Sequence, residues 1–109
     1  MELKVFERLI LLNVLPREGD LTALKLIRKL REELSFSEEE HKALQFSPIN
    51  PETGEKDGLM HWLLAGDKPK EVTIGEKAND IIVEAFKRLN KEKKLKEEHI
   101  PVYELFVKE

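Results

Sequence analysis

The chain has 109 residues, 38% of them Asp, Glu, Lys or Arg and 40% apolar, and it contains no cysteine. That length fits one small domain, and the apolar share is enough for one modest core, which separates the chain from disordered sequences. The absence of thiols excludes a disulfide scaffold, an iron–sulfur cluster, a thiolate zinc site and a cysteine nucleophile, and a net charge of −3 supplies no global positive field for a polyanion.

Leu3 to Leu15 carries apolar residues at 3, 6, 9, 10 and 14, with more at 5, 11 and 12, which predicts a helix with a wide buried face. Pro16 and the Arg17-Glu18-Gly19 turn end it, and Asp20 is placed to cap the next helix by accepting from free backbone N–H groups. In that next helix Leu21, Leu24, Ile27, Leu30 and Leu34 form one stripe, with Leu26 beside it and Lys25, Arg28, Lys29 and Glu32 mostly opposite. Ser37-Glu38-Glu39-Glu40 has capping-box spacing and predicts a short helix from Glu38 to about Leu44.

The middle changes character. Gln45 to Ile49 alternates, Asn50-Pro51-Glu52-Thr53-Gly54 is dense in turn residues, and Leu59 to Leu64 reads as a second strand. Gly66, Asp67 and Pro69 break it, and Glu71 to Ile74 reads as a short third strand. Ala78, Ile81, Ile82, Ala85, Phe86 and Leu89 then recur at steps of three and four, the strongest amphipathic stripe in the chain. Asn90 to Lys96 is a basic hinge. A final helix opens near Glu97 or Glu98, tolerates Pro101 in its first turn, and docks through Tyr103, Phe106 and Val107. These elements predict an α+β fold, mostly helical. Helices come first, a small antiparallel sheet or hairpin lies in the middle, and two helices close a single compact domain over 1–109.

No apolar run approaches the roughly 20 residues of a membrane span; Leu9–Leu12 is only four long. Glu2 and Glu7 and the lack of a small-residue cleavage pattern argue against a secretory leader, so a soluble protein of the cell interior is expected.

Three stretches together resemble a group of small uncharacterised proteins of tailed phages and prophages. They are 6–19 (FERLILLNVLPREG), 34–41 (LSFSEEEH) and 74–83 (IGEKANDIIV). These motifs describe helix caps and core stripes. The resemblance therefore implies a setting, a phage product in the host cytoplasm or in the virion, and carries no activity and no site residues.

The residues themselves point away from catalysis. His41, His61 and His99 lack the spacing of a His-x-x-x-His metal site, and Ser35, Ser37 and Ser47 lack a nucleophile-elbow frame. Glycines 19, 54, 58, 66 and 75 form no phosphate loop. Gly75 before the long helix fits a strand-to-helix turn, or an anion approaching the helix N-terminus. The carboxylate runs sit at helix starts, where they suit the dipole. No catalytic residue, metal site or cofactor is expected. Two helices, a short third helix and a hairpin follow the order of a winged helix-turn-helix. The third helix, however, begins Glu38-Glu39-Glu40, and the hairpin sets Glu52, Glu55 and Asp57 against Lys56, which disfavours DNA reading. An acidic imitation of nucleic acid is the converse.

Residues 1–36 carry seven basic and six acidic groups, residues 37–66 two and six, and residues 67–109 ten of each. One basic patch is expected around Lys25, Arg28 and Lys29, with Arg8 and Arg17 joining it; Lys91, Lys93, Lys94 and Lys96 form another. Each reads either as a solvated helix face or as an anion site where arginine binds bidentately. Trp62 and Tyr103 could stack a base or fill a core. The candidate ligand-binding set is Arg8, Arg17, Lys25, Arg28, Trp62 and Tyr103. The apolar width of the first helix suggests a homo-oligomer. The functional expectation is a non-catalytic phage accessory protein that binds a nucleotide-like anionic ligand or a host protein stoichiometrically, as in counter-defence. The alternatives are a virion or assembly component, and a winged-helix-like nucleic-acid-associated protein or acidic mimic.

Overall fold

A computed structural model describes residues 1–107. The order is β1 (Glu2–Leu3), α1 (Val5–Val14), α2 (Leu21–Leu34), α3 (Glu38–Leu44), β2 (Ser47–Ile49), β3 (Lys56–His61), a 3-10 turn at Leu64–Gly66, β4 (Lys70–Glu71), α4 (Glu76–Lys91), a 3-10 turn at Glu97–His99, and α5 (Ile100–Phe106). This is the α+β fold expected, with the hairpin in the middle and two helices last. The sequence reading puts one compact domain over 1–109. The chain gathers into two compact units, Phe36–Pro69 and a helical unit made of Met1–Ser35 with the chain from Lys70 onward.

The helical unit is built by side-chain periodicity. Leu3, Ile10, Leu11, Leu15, Ile27, Leu30, Leu34, Val72, Ile82, Phe86, Val102 and Phe106 form its core, and each such side chain stabilises by roughly 1.5–3 kcal/mol on leaving water. Asp20 caps α2 by accepting from the Ala23 N–H at 2.8 Å. Leu21 is the one member of the expected α2 stripe that fails to reach the core; it is 69% exposed at the first helical position, beyond the body that the helix packs on. In α4 the stripe buries Ile82, Ala85 and Phe86. Asn90 and Lys91, expected in the hinge, still belong to α4, and the reversal comes at Lys93, whose φ of +58° is left-handed. The last helix begins later than expected, at Ile100, because Glu97–His99 form a tighter turn closed by the Lys96 N–H donating to His99 Nδ1 at 3.0 Å.

Two expected elements differ in kind. Leu3, read as the start of the first helix, lies in β1 opposite Lys70, and Glu2 lies opposite Glu71. The third strand is Lys70–Glu71 rather than Glu71–Ile74, and its partner is the chain start, not the hairpin, so there are two small antiparallel sheets. Val72 continues past it to donate its N–H to the Met1 carbonyl at 2.9 Å and to bury its side chain.

Arg8 is the largest fully buried side chain. It falls three residues after Val5 and three before Leu11, on the inward face of α1. Its Nε donates to the Leu34 carbonyl at 3.1 Å and its Nη2 to the Ser35 carbonyl at 2.6 Å. These oxygens sit at the C-terminal end of α2, where carbonyls lack intrahelical partners and the helix dipole is negative. Arg8 is therefore a structural cation, and the expected basic surface loses it. The premise of the homo-oligomer changes as well. No large apolar residue of α1 is exposed, because α2, α4 and α5 all pack against it.

The second unit has a different economy. Ser37 accepts from the Glu40 N–H at 3.1 Å, and Glu40 accepts from the Ser37 N–H at 3.0 Å, so the capping box forms as read and α3 spans Glu38–Leu44 as read. Beyond α3, Ser47 pairs with His61 and Ile49 with Lys56, with an irregular register between them. The strand read over Leu59–Leu64 is shifted back to Lys56–His61. Gly58, at φ +80°, absorbs the irregularity, and Leu64 turns into the 3-10 segment. Leu44 is the one buried residue of this unit. Phe36, His41 and Trp62 meet Phe46 edge-on at 5.0, 5.6 and 6.1 Å between ring centres.

Arg8→Ala removes both donors to the end of α2 and opens a cavity, with an expected loss of about 2–4 kcal/mol in chemical denaturation. Wild-type stability in this variant would refute the structural role. Gly66→Ala drives a Cβ into the Ala43 backbone carbonyl. The expected cost is about 1–3 kcal/mol, and an unchanged unfolding transition would show that the turn relaxes freely.

Candidate functional site

The turn between α1 and α2 is held by a cation from α2. Arg31 Nη2 donates to the Leu15 carbonyl at 3.2 Å and approaches the Pro16 carbonyl at 3.5 Å. This fixes the Pro16–Arg17 segment against one side of α2. Leu24, Ile27, Arg28 and Arg31 follow one another at spacings of three, one and three, so they share that side of the helix. The result is a shallow groove of about 300 Å³ lined by Pro16, Arg17, Leu24, Ile27, Arg28 and Arg31.

Three guanidiniums line this groove and no carboxylate does. Arg17 and Arg28 are exposed and form no ion pair among the described residues. Like charges gathered on a weakly polar floor repel one another, and an anion seated between them relieves that repulsion while accepting forked N–H donors. Pro16, Leu24 and Ile27 supply apolar surface beside the cations. The volume is at the low end of the roughly 300–1,000 Å³ of small-molecule sites.

Charge separates this groove from its neighbours in the helical unit. A larger depression of about 470 Å³ lies between α2 and the start of α4, where Lys29 and Lys77 are balanced by Glu33 and Glu76 over Leu26, Leu30 and Ala78. Gly75 caps α4 there without a side-chain hydrogen bond, at an ordinary φ of −72°, so its place is the strand-to-helix turn. A third depression, of about 280 Å³, sets Glu18, Asp20 and Glu84 against Arg88 alone.

Of the residues singled out from the sequence, the structure brings Arg17 and Arg28 together at the groove. Lys25 is exposed one turn before Arg28, outside the lining. Arg8 is withdrawn into the core. Tyr103 is half-buried with its ring edge-on to Phe86 at 5.6 Å between centres, a packing role. Trp62 belongs to the second unit, where its indole N–H donates to Asp67 at 3.2 Å. Arg31 was missed. Its spacing of three from Arg28 is the signal that places it on the same side of α2. The run Lys91, Lys93, Lys94 and Lys96 is exposed.

The histidines are engaged separately. His41 joins the aromatic cluster, and His99 accepts from the Lys96 N–H. His61 Nε2 lies 2.9 Å from both Asp57 carboxylate oxygens. That hydrogen bond, the largest cause, holds the Asp57 carboxyl below the ordinary carboxylate range. Desolvation opposes it, and the Leu59 N–H and Asn50 amide add to it. Among the described residues no group of three or more His, Cys, Asp or Glu could hold a metal ion, and no helix is long and apolar enough to cross a membrane. No family model, no curated protein and no solved structure matches the chain.

Because the Asp57 pKa is lowered in the folded hairpin, its contribution to hairpin order is present above the unfolded carboxyl pKa and is lost as pH falls through the lowered value. His61→Ala should move the Asp57 titration upward when followed by carboxyl carbon NMR. An unmoved titration would show that His61 is not the main cause.

Proposed function

We propose that this chain is a non-catalytic binding protein that takes a phosphate-bearing, nucleotide-like anion in the Arg17–Arg28–Arg31 groove. The carrying observation is the convergence of three guanidiniums on one apolar-floored groove whose lining has no carboxylate. Two of the three cations are exposed and unpaired among the described residues, so they lose little by turning to a ligand. Arginine fits the task better than lysine, because its planar fork matches two phosphate oxygens at once. The apolar floor suits the flat face of a base or sugar ring.

The lining offers no imidazole, hydroxyl or carboxylate to act as nucleophile or general base. Stoichiometric capture, rather than turnover, is what such a groove supports. The resemblance of residues 6–19, 34–41 and 74–83 to small phage and prophage proteins supplies the setting. In that setting a protein of this size would act in the infected cell by sequestering a nucleotide-like signal, as a counter-defence accessory product.

Thermal unfolding in the presence of mononucleotides, cyclic dinucleotides and pyrophosphate tests this. A ligand that binds only the native state at about a hundredfold over its Kd adds about 2.7 kcal/mol, a rise of several degrees for a chain of this size. The rise should shrink with added salt and vanish in Arg28→Ala, which removes an exposed side chain and should unfold where the wild type does. No shift with any of these anions, or an equal shift in Arg28→Ala, would remove the groove as the site.

A further inference from the structure

The second unit carries its large apolar residues outside. Leu59 is 56% exposed, Met60 50% and Leu64 81%, with Ile49 and Leu63 similarly open. All of 51–60 is exposed, and a two-stranded hairpin standing alone is marginal in water. Apolar groups of this size gathered on one small unit mark an interaction surface more often than a solvated one. The charges of the unit lean acidic. Residues 36–69 hold seven carboxylates against three lysines. Glu38, Glu39, Glu52 and Glu55 form no ion pair among the described residues, whereas Asp57 is engaged by His61.

We propose that the β2–β3 hairpin and the turn that follows it dock a basic, apolar-faced segment of a partner protein. The apolar side chains supply the buried area, and the unpaired carboxylates supply steering and the choice of sign. A second copy of this unit is a poorer occupant than a basic segment, because its carboxylates outnumber its lysines by seven to three and the two copies would carry like net charge. A nucleic acid is excluded by the same argument, its phosphates meeting the same charge.

The probe is a tryptophan-free amphipathic Leu/Lys peptide, with a Leu/Glu peptide of the same pattern as control. Trp62, the only tryptophan in the chain and part of this unit, reports binding by its fluorescence. The Leu/Lys peptide should saturate at one per chain, with an affinity that falls as salt rises. The double variant Leu59→Ser/Met60→Ser should weaken it by about tenfold, equivalent to about 1.4 kcal/mol, and Glu52→Gln/Glu55→Gln should weaken it severalfold. Both alter exposed side chains, and circular dichroism verifies their fold. Absence of saturable binding, equal binding of the Leu/Glu peptide, or wild-type affinity in either variant would overturn the proposal. So would a doubled mass in light scattering that Leu59→Ser/Met60→Ser returns to the monomer, since the surface would then be a self-interface.

Discussion

A buried guanidinium organises the helical unit. Arg8 has no exposed surface, and an ion in that position costs several kcal/mol unless its donors are filled. The carbonyls of Leu34 and Ser35 accept from it at the negative end of α2. No buried side-chain nitrogen or oxygen among the described residues lacks a hydrogen-bond partner. Because Arg8 projects from the second turn of α1, the contact fixes how α1 meets the end of α2. The apolar faces of α4 and α5 then close over that pair, with Phe86, Val102 and Phe106 in one core.

The same device recurs at other chain reversals. Lys70 donates through Nζ to the Glu33 carbonyl at 2.8 Å, again at the end of α2, while its backbone lies opposite Leu3 in the β1–β4 pair. Arg31 serves the end of α1 through the Leu15 carbonyl. A long cationic side chain can reach carbonyls that a helix leaves unpaired, and its stem covers apolar surface on the way. The three-arginine groove follows from this. Arg31 is present to hold the turn, and by holding it sets Arg17 beside Arg28.

The helices were legible because their signals are local. The Ser37 capping box, the Asp20 cap and the stripe in 78–89 each act within one or two turns, and all three form as read. The β1–β4 pair was not legible, since two residues at the chain start find their partners about seventy positions away and neither strand is long enough to show alternation. Gly58 shifted the hairpin register for a similar reason: a single left-handed residue moved the strand off its most apolar stretch. Arg8 could have been read correctly. The buried stripe Val5, Leu11 and Leu15 runs through it, so its position, rather than its charge, marks it as inward-facing. Arg17 and Arg28 came together as expected of one basic face, whereas Trp62 and Tyr103 went to separate aromatic contacts that composition alone does not assign.

The two units spend hydrophobicity in opposite ways. The helical unit buries Leu, Ile, Val and Phe from five of its elements in one core. The unit at 36–69 buries Leu44 and is otherwise held by short polar and aromatic contacts: the Ser37 box, the Asp57–His61 pair, the indole of Trp62 on Asp67, and the rings edge-on to Phe46. Contacts of this kind define a local shape but are small beside a core. Such a unit keeps its apolar side chains available, and its low share of buried area makes it the part of the chain whose order depends most on what covers it. Charge follows the same division. In the helical unit Arg8 and Arg31 are engaged by carbonyls and Arg17, Arg28 and Arg31 line a groove free of carboxylates, while at 36–69 the charge excess is acidic. On the two proposals the surfaces would select opposite partners, an anion at the arginines and a cationic apolar segment at the hairpin.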